Sequence, residues 1–439
     1  MIMATNETHD PARRSFVESA NDGSDFPIQN LPFGVFRRRG GGESPRVGIA
    51  IGDQILDVAG IARLCTGAAA PAAAACASPR LNDLMAQGPK AWSALRAQVS
   101  RLLSIEEAAH RATMAENLTP AAMAELMLPV EIGNFTDFFA SIFHATNAGR
   151  MFRPDNPLLP NYKYVPVAYH SRPSSVRVSG TPVSRPFGQT KTAEENAPVY
   201  RPSHHLDYEF ELGFYVGVPS QLGTPVPVAR ASEHIFGFCL LNDWSARDIQ
   251  AWEAQPLGPF LAKNFATTVS PWVVTAEALA PFRTAAFARP QGDPAPLPYL
   301  DDPNDRREGG LAITLEAYLL TQAMREQKLT AFRLSSGTFA DIYWTVAQML
   351  THHTSNGCNL MVGDLMGSGT VSGPGRDSWA CLLELTSRGR DPLELPSGEK
   401  RGFLEDGDEI IFRGHCERED FARIGFGECR AVVQPAANK

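Results

Sequence analysis

Residues Leu206 to Gly217 hold the densest chemistry in the chain. Tyr208, Phe210, Leu212 and Phe214 alternate there with Asp207, Glu209 and Glu211. A strand repeats every two residues, so Glu209 and Glu211 project from one face while the apolar side chains pack on the other. Two carboxylates so placed repel, and either a cation between them or solvent around them relieves the repulsion. A further acid, Asp243, ends the apolar run "IFGFCLLN", where a buried strand meets a helix start. Ser245 and Asp248 have the spacing of a capping box for that helix, which leaves Asp243 free to point elsewhere. Arg247 and Gln250 share one stripe of it. Asp137 precedes the helical pattern "FFASIFHATNAG", as its cap or as a ligand, and His144 lies two turns on, on nearly the same side. Four acids of this kind suit a hard cation, Ca²⁺ or Mg²⁺ with Mn²⁺ as a further candidate, better than a histidine–cysteine zinc site does.

Three other residues depend on their surroundings. Lys263 and Thr267 follow the stiff tract "QPLGPFLA", which either holds a lysine in a site or forms a surface loop. Glu384 sits among leucines in "WACLLELT", a strand candidate, and is either at an edge or buried with a partner. Other signals carry less. "EDGDEI" (405–410) lacks the rest of an EF-hand loop and fits a hairpin turn. His204-His205 and His352-His353 have no matching ligands nearby in sequence and read as a loop and a helix end.

The elements that must position these groups change along the chain. Residues 1–25 are polar and charged and read as a mobile tail. Residues 26–128 form a small mixed domain. In it "PRVGIAIGDQILDVAGI" predicts a strand, a Gly52-Asp53 turn and a second strand, and helical patterns run from Leu81 to Leu118. Residues 129–439 form the large domain, in which "SSVRVSG", "LAITLEAYLL", "DEIIFRGHC" and "FARIGFGECRAVV" join the strands above. Helical candidates are fewer and include "SARDIQAWEA" and "FADIYWTVAQMLTHH". The expected fold class is mainly β with α, without the βα alternation of a doubly wound sheet.

Bulk properties narrow the function classes. A formal charge of −8 over 439 residues leaves no basic excess for a nucleic-acid partner. No apolar run reaches the eighteen or so residues of a membrane helix, and the first thirty residues show no secretory signal. The seven cysteines lack a C-x-x-C pair and read as free core thiols of a cytoplasmic protein.

Together the segments "DFPIQNLPFGVF", "TDFFASIFHATN", "MFRPDNPLLPNY", "LDYEFE", "HIFGFCLLNDWSARDIQAWE", "PLGPFLAKNFATTVSPWVV", "THHTSNGCNL", "GSGTVSG" and "IGFGEC" resemble the fumarylacetoacetate hydrolase family from about Phe26 to the C-terminus. The resemblance implies a small N-terminal SH3-like domain, a large β-rich catalytic domain and a homodimer. It implies metal-dependent hydrolysis of the carbon–carbon bond of fumarylacetoacetate, in tyrosine and phenylalanine catabolism. It also implies the metal ligands Asp137, Glu209, Glu211 and Asp243, with Lys263 and Thr267 beside a second cation position. His144 falls at the general base and Glu384 at its orienting partner. Arg247, Gln250 and Lys263 match groups around the oxyanion and leaving group, and Arg153, Tyr169 and Thr370 line the substrate pocket. Phe139 and Ala254 stand where the family usually has tyrosines, and Ala168 and Ser171 where it usually has glycines. Two alternatives remain open: a paralogous hydrolase of another acylpyruvate or β-diketo acid, and a non-catalytic cation-binding protein.

Overall fold

The computed structural model describes residues 4–437. Its first unit is a five-stranded antiparallel sheet in the order Leu118–Pro120, Gln54–Asp57, Arg46–Ile51, Phe33–Arg38, Ala124–Met127. The expected hairpin is present: Ala50 faces Ile55, and Gly52 turns the chain at φ +56°, a conformation glycine adopts without strain. The Ala-rich stretch forms the short helix Ala69–Ala75, with Pro71 in its first turn, where a missing N–H costs nothing. The longest helix, Pro89–Leu103, buries Leu95, Val99, Leu102 and Leu103 with Val35, Val47 and Ile49 of the sheet.

Of the expected mobile tail, residues 1–3 lie outside the described residues and residues 4–25 are instead packed on the fold. Thr8, His9, Ser15 and Val17 are buried, and Phe16 N–H donates to the Leu103 carbonyl at 3.1 Å. The buried Arg96 guanidinium donates to Thr8 Oγ1 and to the carbonyls of Gln29 and Asn30. The polar residues that read as disorder are the partners in this docking; Asn6 donates to Glu277 at 2.8 Å.

The second unit is built on a mixed sheet. Its path runs Ala168–His170, Phe135–Phe138, Leu365–Gly367, Phe210–Val216, Ile235–Asp243, Thr267–Val269, Val176–Val178. A five-stranded sheet lies against it, in the order Phe332–Thr338, Thr314–Leu320, Glu409–Cys416, Ile424–Gln434, Val183–Ser184. Leu212, Phe214 and Leu240 share a core with Leu315, Phe412 and Phe426 of that second sheet, and Phe210 stacks on Phe412 at 3.9 Å. On the opposite face Tyr215, Cys239, Leu241 and Val269 pack with Phe33, Val35 and Trp92 of the N-terminal unit. The central strands are thus buried on both faces. At one end of the face shared with the N-terminal unit the row turns acidic.

Candidate active site

Register assembles the acids. Gly213 is opposite Gly367, which is opposite Asp137, which is opposite Tyr169. Glu211 is opposite Leu241, and Asp243, two residues beyond Leu241, is opposite Thr267. With side chains alternating along each strand, Asp137, Glu211, Asp243, Thr267 and Tyr169 all fall on one face. Asp137 is therefore a strand residue; the helix Ile142–Phe152 is capped by Ser141, whose Oγ accepts from His144 N–H. Nor is the expected Ser245/Asp248 box formed. Asp248 instead accepts from Ser203 Oγ and His204 N–H, although Asp243 does point elsewhere.

Carboxylate oxygens of Asp137, Glu211 and Asp243 lie within 4.8 Å of one another, all buried. Asp137 Oδ1 and Glu211 Oε1 have no hydrogen-bond partner. Tyr169 Oη lies 3.0 Å from Asp137 Oδ2 and 2.7 Å from Asp243 Oδ2. One hydroxyl has one proton to donate, so both contacts are bonds only if a carboxyl carries its own. Burial, and then repulsion from Asp243, hold the Asp137 carboxyl well above the ordinary range; burial and Asp137 do the same to Glu211. An added Cβ at Gly367 would come within 2.8 Å of oxygens of both Asp137 and Glu211, so glycine leaves this cradle open. Two donor-free buried oxygens in a cluster of acids fit a hard cation.

Glu209 behaves differently. Arg247 donates to its Oε1 at 2.6 Å and Lys263 to its Oε2. Burial pushes the Glu209 carboxyl up, but the charges of Lys263 and Arg247 overcome this and hold it far below the usual range. Lys263 also donates to Asp243 Oδ2 at 3.0 Å, and Thr267 Oγ1 to Asp243 Oδ1 at 3.1 Å. Burial disfavours the ammonium, yet Asp243 and Glu209 raise its pKa, so Lys263 contributes a positive charge and no ligand lone pair.

His144 forms the other pole. Its Nδ1 lies 2.7 Å from Glu384 Oε2, with both side chains buried. Glu384 sits on a helical turn, Leu382–Leu385, where a strand is predicted; the turn aims the carboxylate inward from among leucines that pack. It also accepts from Asn147 (2.8 Å), Ser372 (2.6 Å) and the Cys381 thiol (3.1 Å). Burial pushes Glu384 up, and the His144 charge and these donors hold it below the ordinary range. An ionised Glu384 accepts a hydrogen bond from Nδ1–H, which leaves Nε2 as the available nitrogen.

Both poles border one cavity of about 1100 Å³. Asp137, Phe139, His144, Arg153, Tyr169, Glu209, Arg247, Gln250, Ala254, Lys263 and Thr370 line it. Glu211, Asp243, Thr267 and Glu384 stand behind that wall. Gln250 Oε1 accepts from Arg247, which leaves its amide N–H₂ free to donate. The Phe139 ring meets His144 edge-on at 5.3 Å between centroids, and Thr370 Oγ1 is buried without a partner. Asn147, Ser372, Cys381 and Asp207 were not singled out from the sequence. Ser372 lies in "GTVSG" and Asp207 in the acidic alternation, but nothing local marks Asn147 or Cys381.

A strand-rich fold that sets buried, partner-free carboxylate oxygens beside a histidine paired with a glutamate in one cavity has the groups a metal-dependent hydrolase needs. Residues 135–434 match the family model described as fumarylacetoacetate (FAA) hydrolase C-terminal, and residues 29–129 the model described as fumarylacetoacetase N-terminal. The chain belongs to the fumarylacetoacetate hydrolase family. It is similar to the fumarylacetoacetases of Bos taurus (48% identity; 96% of this chain, 99% of the relative) and Arabidopsis thaliana (44%; 96% and 99%). A solved fumarylacetoacetate hydrolase from Exiguobacterium antarcticum shares the fold, with a TM-score of 0.50 at 16% identity over 92% of this chain and 99% of that one.

Proposed function

We propose that this chain hydrolyses fumarylacetoacetate to fumarate and acetoacetate, the carbon–carbon cleavage of tyrosine and phenylalanine catabolism. The observation that carries this reading is the pairing, across one cavity, of two donor-free buried carboxylate oxygens with the His144–Glu384 dyad. Fumarylacetoacetases similar over nearly the whole of both chains support it.

Asp137, Glu209, Glu211 and Asp243 would hold a Ca²⁺ or Mg²⁺ ion, which supplies Lewis-acid stabilisation of an enolate when bound. The chain's own groups do the rest. His144 Nε2 takes a proton from water, whose oxygen adds to the carbonyl of the fumaroyl half. Glu384 holds the resulting imidazolium in place. Arg247, Gln250 and Lys263 donate toward oxygen atoms that gain charge, the buried Arg247 and Lys263 from fixed positions on the cavity wall. The carbon–carbon bond then breaks, its electron pair leaves with the acetoacetate half, and the imidazolium proton returns to that carbon. Arg153, Tyr169 and Thr370 bind the remainder of the substrate.

A second reading, preference for a related acylpyruvate or β-diketo acid, rests on Phe139 and Ala254, which place no hydroxyl on the cavity wall. A homodimer is proposed on the exposed apolar side chains Leu257 (95% exposed), Phe260 (65%) and Trp252, the first of which borders the cavity. A cytoplasmic location accords with seven free cysteines. No helix among the described residues is long and apolar enough to cross a membrane.

A steady-state assay with fumarylacetoacetate, with and without chelator, tests the proposal. Turnover that chelation abolishes and Mg²⁺ or Ca²⁺ restores is expected; no turnover in metal-replete enzyme overturns it.

A further inference from the structure

Asp207 is completely buried, and its carboxylate accepts four hydrogen bonds from three separate segments. Oδ1 accepts from the N–H groups of Tyr208 (2.9 Å) and Leu382 (2.8 Å), and Oδ2 from Leu383 N–H (3.0 Å) and Arg247 Nε (2.9 Å). Leu382 and Leu383 open the turn that carries Glu384. That turn has no local cap, because the side chain at its N-cap position, Cys381, donates to Glu384 instead. The first N–H groups of a helical turn have no partner within it and need one from elsewhere. Here Asp207 supplies it from a strand 175 residues away in sequence. The same oxygen that receives Leu383 fixes the Arg247 guanidinium, which reaches over Glu209 into the cavity.

We propose that Asp207 is a positioning residue that ties the Glu384 turn, and through it His144, to Arg247, so that the base and the oxyanion donor are held at one fixed separation. The proposal rests on the hydrolytic reading above. Neither fourfold acceptance nor capping from a distant strand is needed for the cation cluster, whose carboxylates Asp207 does not touch. An asparagine at 207 is nearly isosteric but can accept at one atom only. Its amide N–H₂ then faces either Leu383 and Arg247 or Tyr208 and Leu382, donor against donor in both orientations.

The test is a double-mutant cycle on metal-loaded full-length enzyme, with Asp207→Asn, Glu384→Gln and the pair, measured as kcat and KM for the diketo acid. Asp207→Asn should lower kcat by about ten- to a hundredfold, change KM by less than about threefold and leave metal content unaltered. In the Glu384→Gln background the same substitution should lower kcat at least fivefold less, because the turn no longer presents a carboxylate to be aimed. An equal factor in both backgrounds would mean that Asp207 only supports the fold, and overturns the tie while leaving the hydrolytic reading intact. A Glu384→Gln enzyme with unchanged kcat overturns the base assignment and this inference with it. If Asp207→Asn does not fold, Asp207→Glu carries the same cycle. It keeps charge and acceptors but displaces the carboxylate by one methylene, and the same non-additivity is expected.

Discussion

The two poles of the cavity are finished to different degrees. At the His144–Glu384 pole every polar atom of Glu384 has a partner: Asn147 on one oxygen, and Ser372, Cys381 and His144 on the other. At the Asp137–Glu211–Asp243 pole two buried carboxylate oxygens have none, and burial with mutual repulsion raises two of the acids. A protein invests differently in a group that must be oriented and in a group that must receive charge. The first is satisfied internally; the second keeps two acceptor oxygens that no donor of the chain meets. Glu209 stands at the boundary: Lys263 and Arg247 compensate its charge, so of the four proposed ligands it is the one whose ionisation does not depend on an ion.

The contrast can be broken most severely at the acidic pole. Asp243→Ala removes the carboxylate that Tyr169, Lys263 and Thr267 all address. Loss of bound divalent ion by elemental analysis and loss of detectable turnover are expected. Full activity in a metal-stripped variant would show that the acids are structural only.

At the other pole His144→Ala should lower kcat by about two to four orders of magnitude while the metal content stays at the wild-type level. Loss of the ion in this variant would join the two poles and make His144 a ligand.

The acidic pole also carries a pH signature. Asp137 and Glu211 are raised in the absence of an ion, so they hold protons at pH values where ordinary carboxyls are ionised. Binding a cation must displace those protons. Affinity should therefore fall as pH falls, by about tenfold per unit for each proton displaced, with proton release measurable by calorimetry in buffers of different ionisation enthalpy. Glu209 and Glu384, both held low, add no such dependence near neutrality. An affinity flat from acid to neutral pH would mean that the acids are already ionised without an ion.

The mildest change concerns the wall between the poles. Phe139→Tyr with Ala254→Tyr adds two hydroxyls to the cavity, each worth about 1.5–3 kcal/mol if it meets a charged oxygen. KM for fumarylacetoacetate should fall by about tenfold or more with little change in kcat, since a contact remote from the reacting atoms acts on ground and transition states alike. An unchanged or higher KM would show that Arg153, Tyr169 and Thr370 suffice for that end of the substrate.

Much of this site was legible in one dimension. The period-two alternation separated the acids from the aromatics, and Asp243 followed from the end of a buried apolar run. The one strand expected from Leu206 to Gly217, however, is broken at Tyr208 and Glu209, between Leu206–Asp207 and Phe210–Val216, which lie in different sheets. Misreadings came where local rules had distant competitors. Residues 4–25 read as a tail because their polar partners, Leu103, Arg96 and Glu277, lie far along the chain. The Leu382–Leu385 turn read as a strand because its alternation is that of a strand, and only Asp207 explains why two of its N–H groups point to a carboxylate instead of a neighbouring strand. The Ser245–Asp248 pair has the spacing of a cap, but Asp248 is claimed by Ser203 and His204 from another segment.

The sequence by itself determined which residues could bear charge toward a site, because side-chain type and the two-residue repeat of a strand are local properties. It also determined the family, through motifs spread over nearly the whole chain. The tertiary structure alone decided which acids remain uncompensated. Glu209 and Glu211 are two residues apart and chemically identical, yet one lies against Lys263 and Arg247 and the other against Asp137 and a glycine backbone. Electrostatic interaction depends on distance in space and on burial, and neither is written into the spacing of residues along a chain.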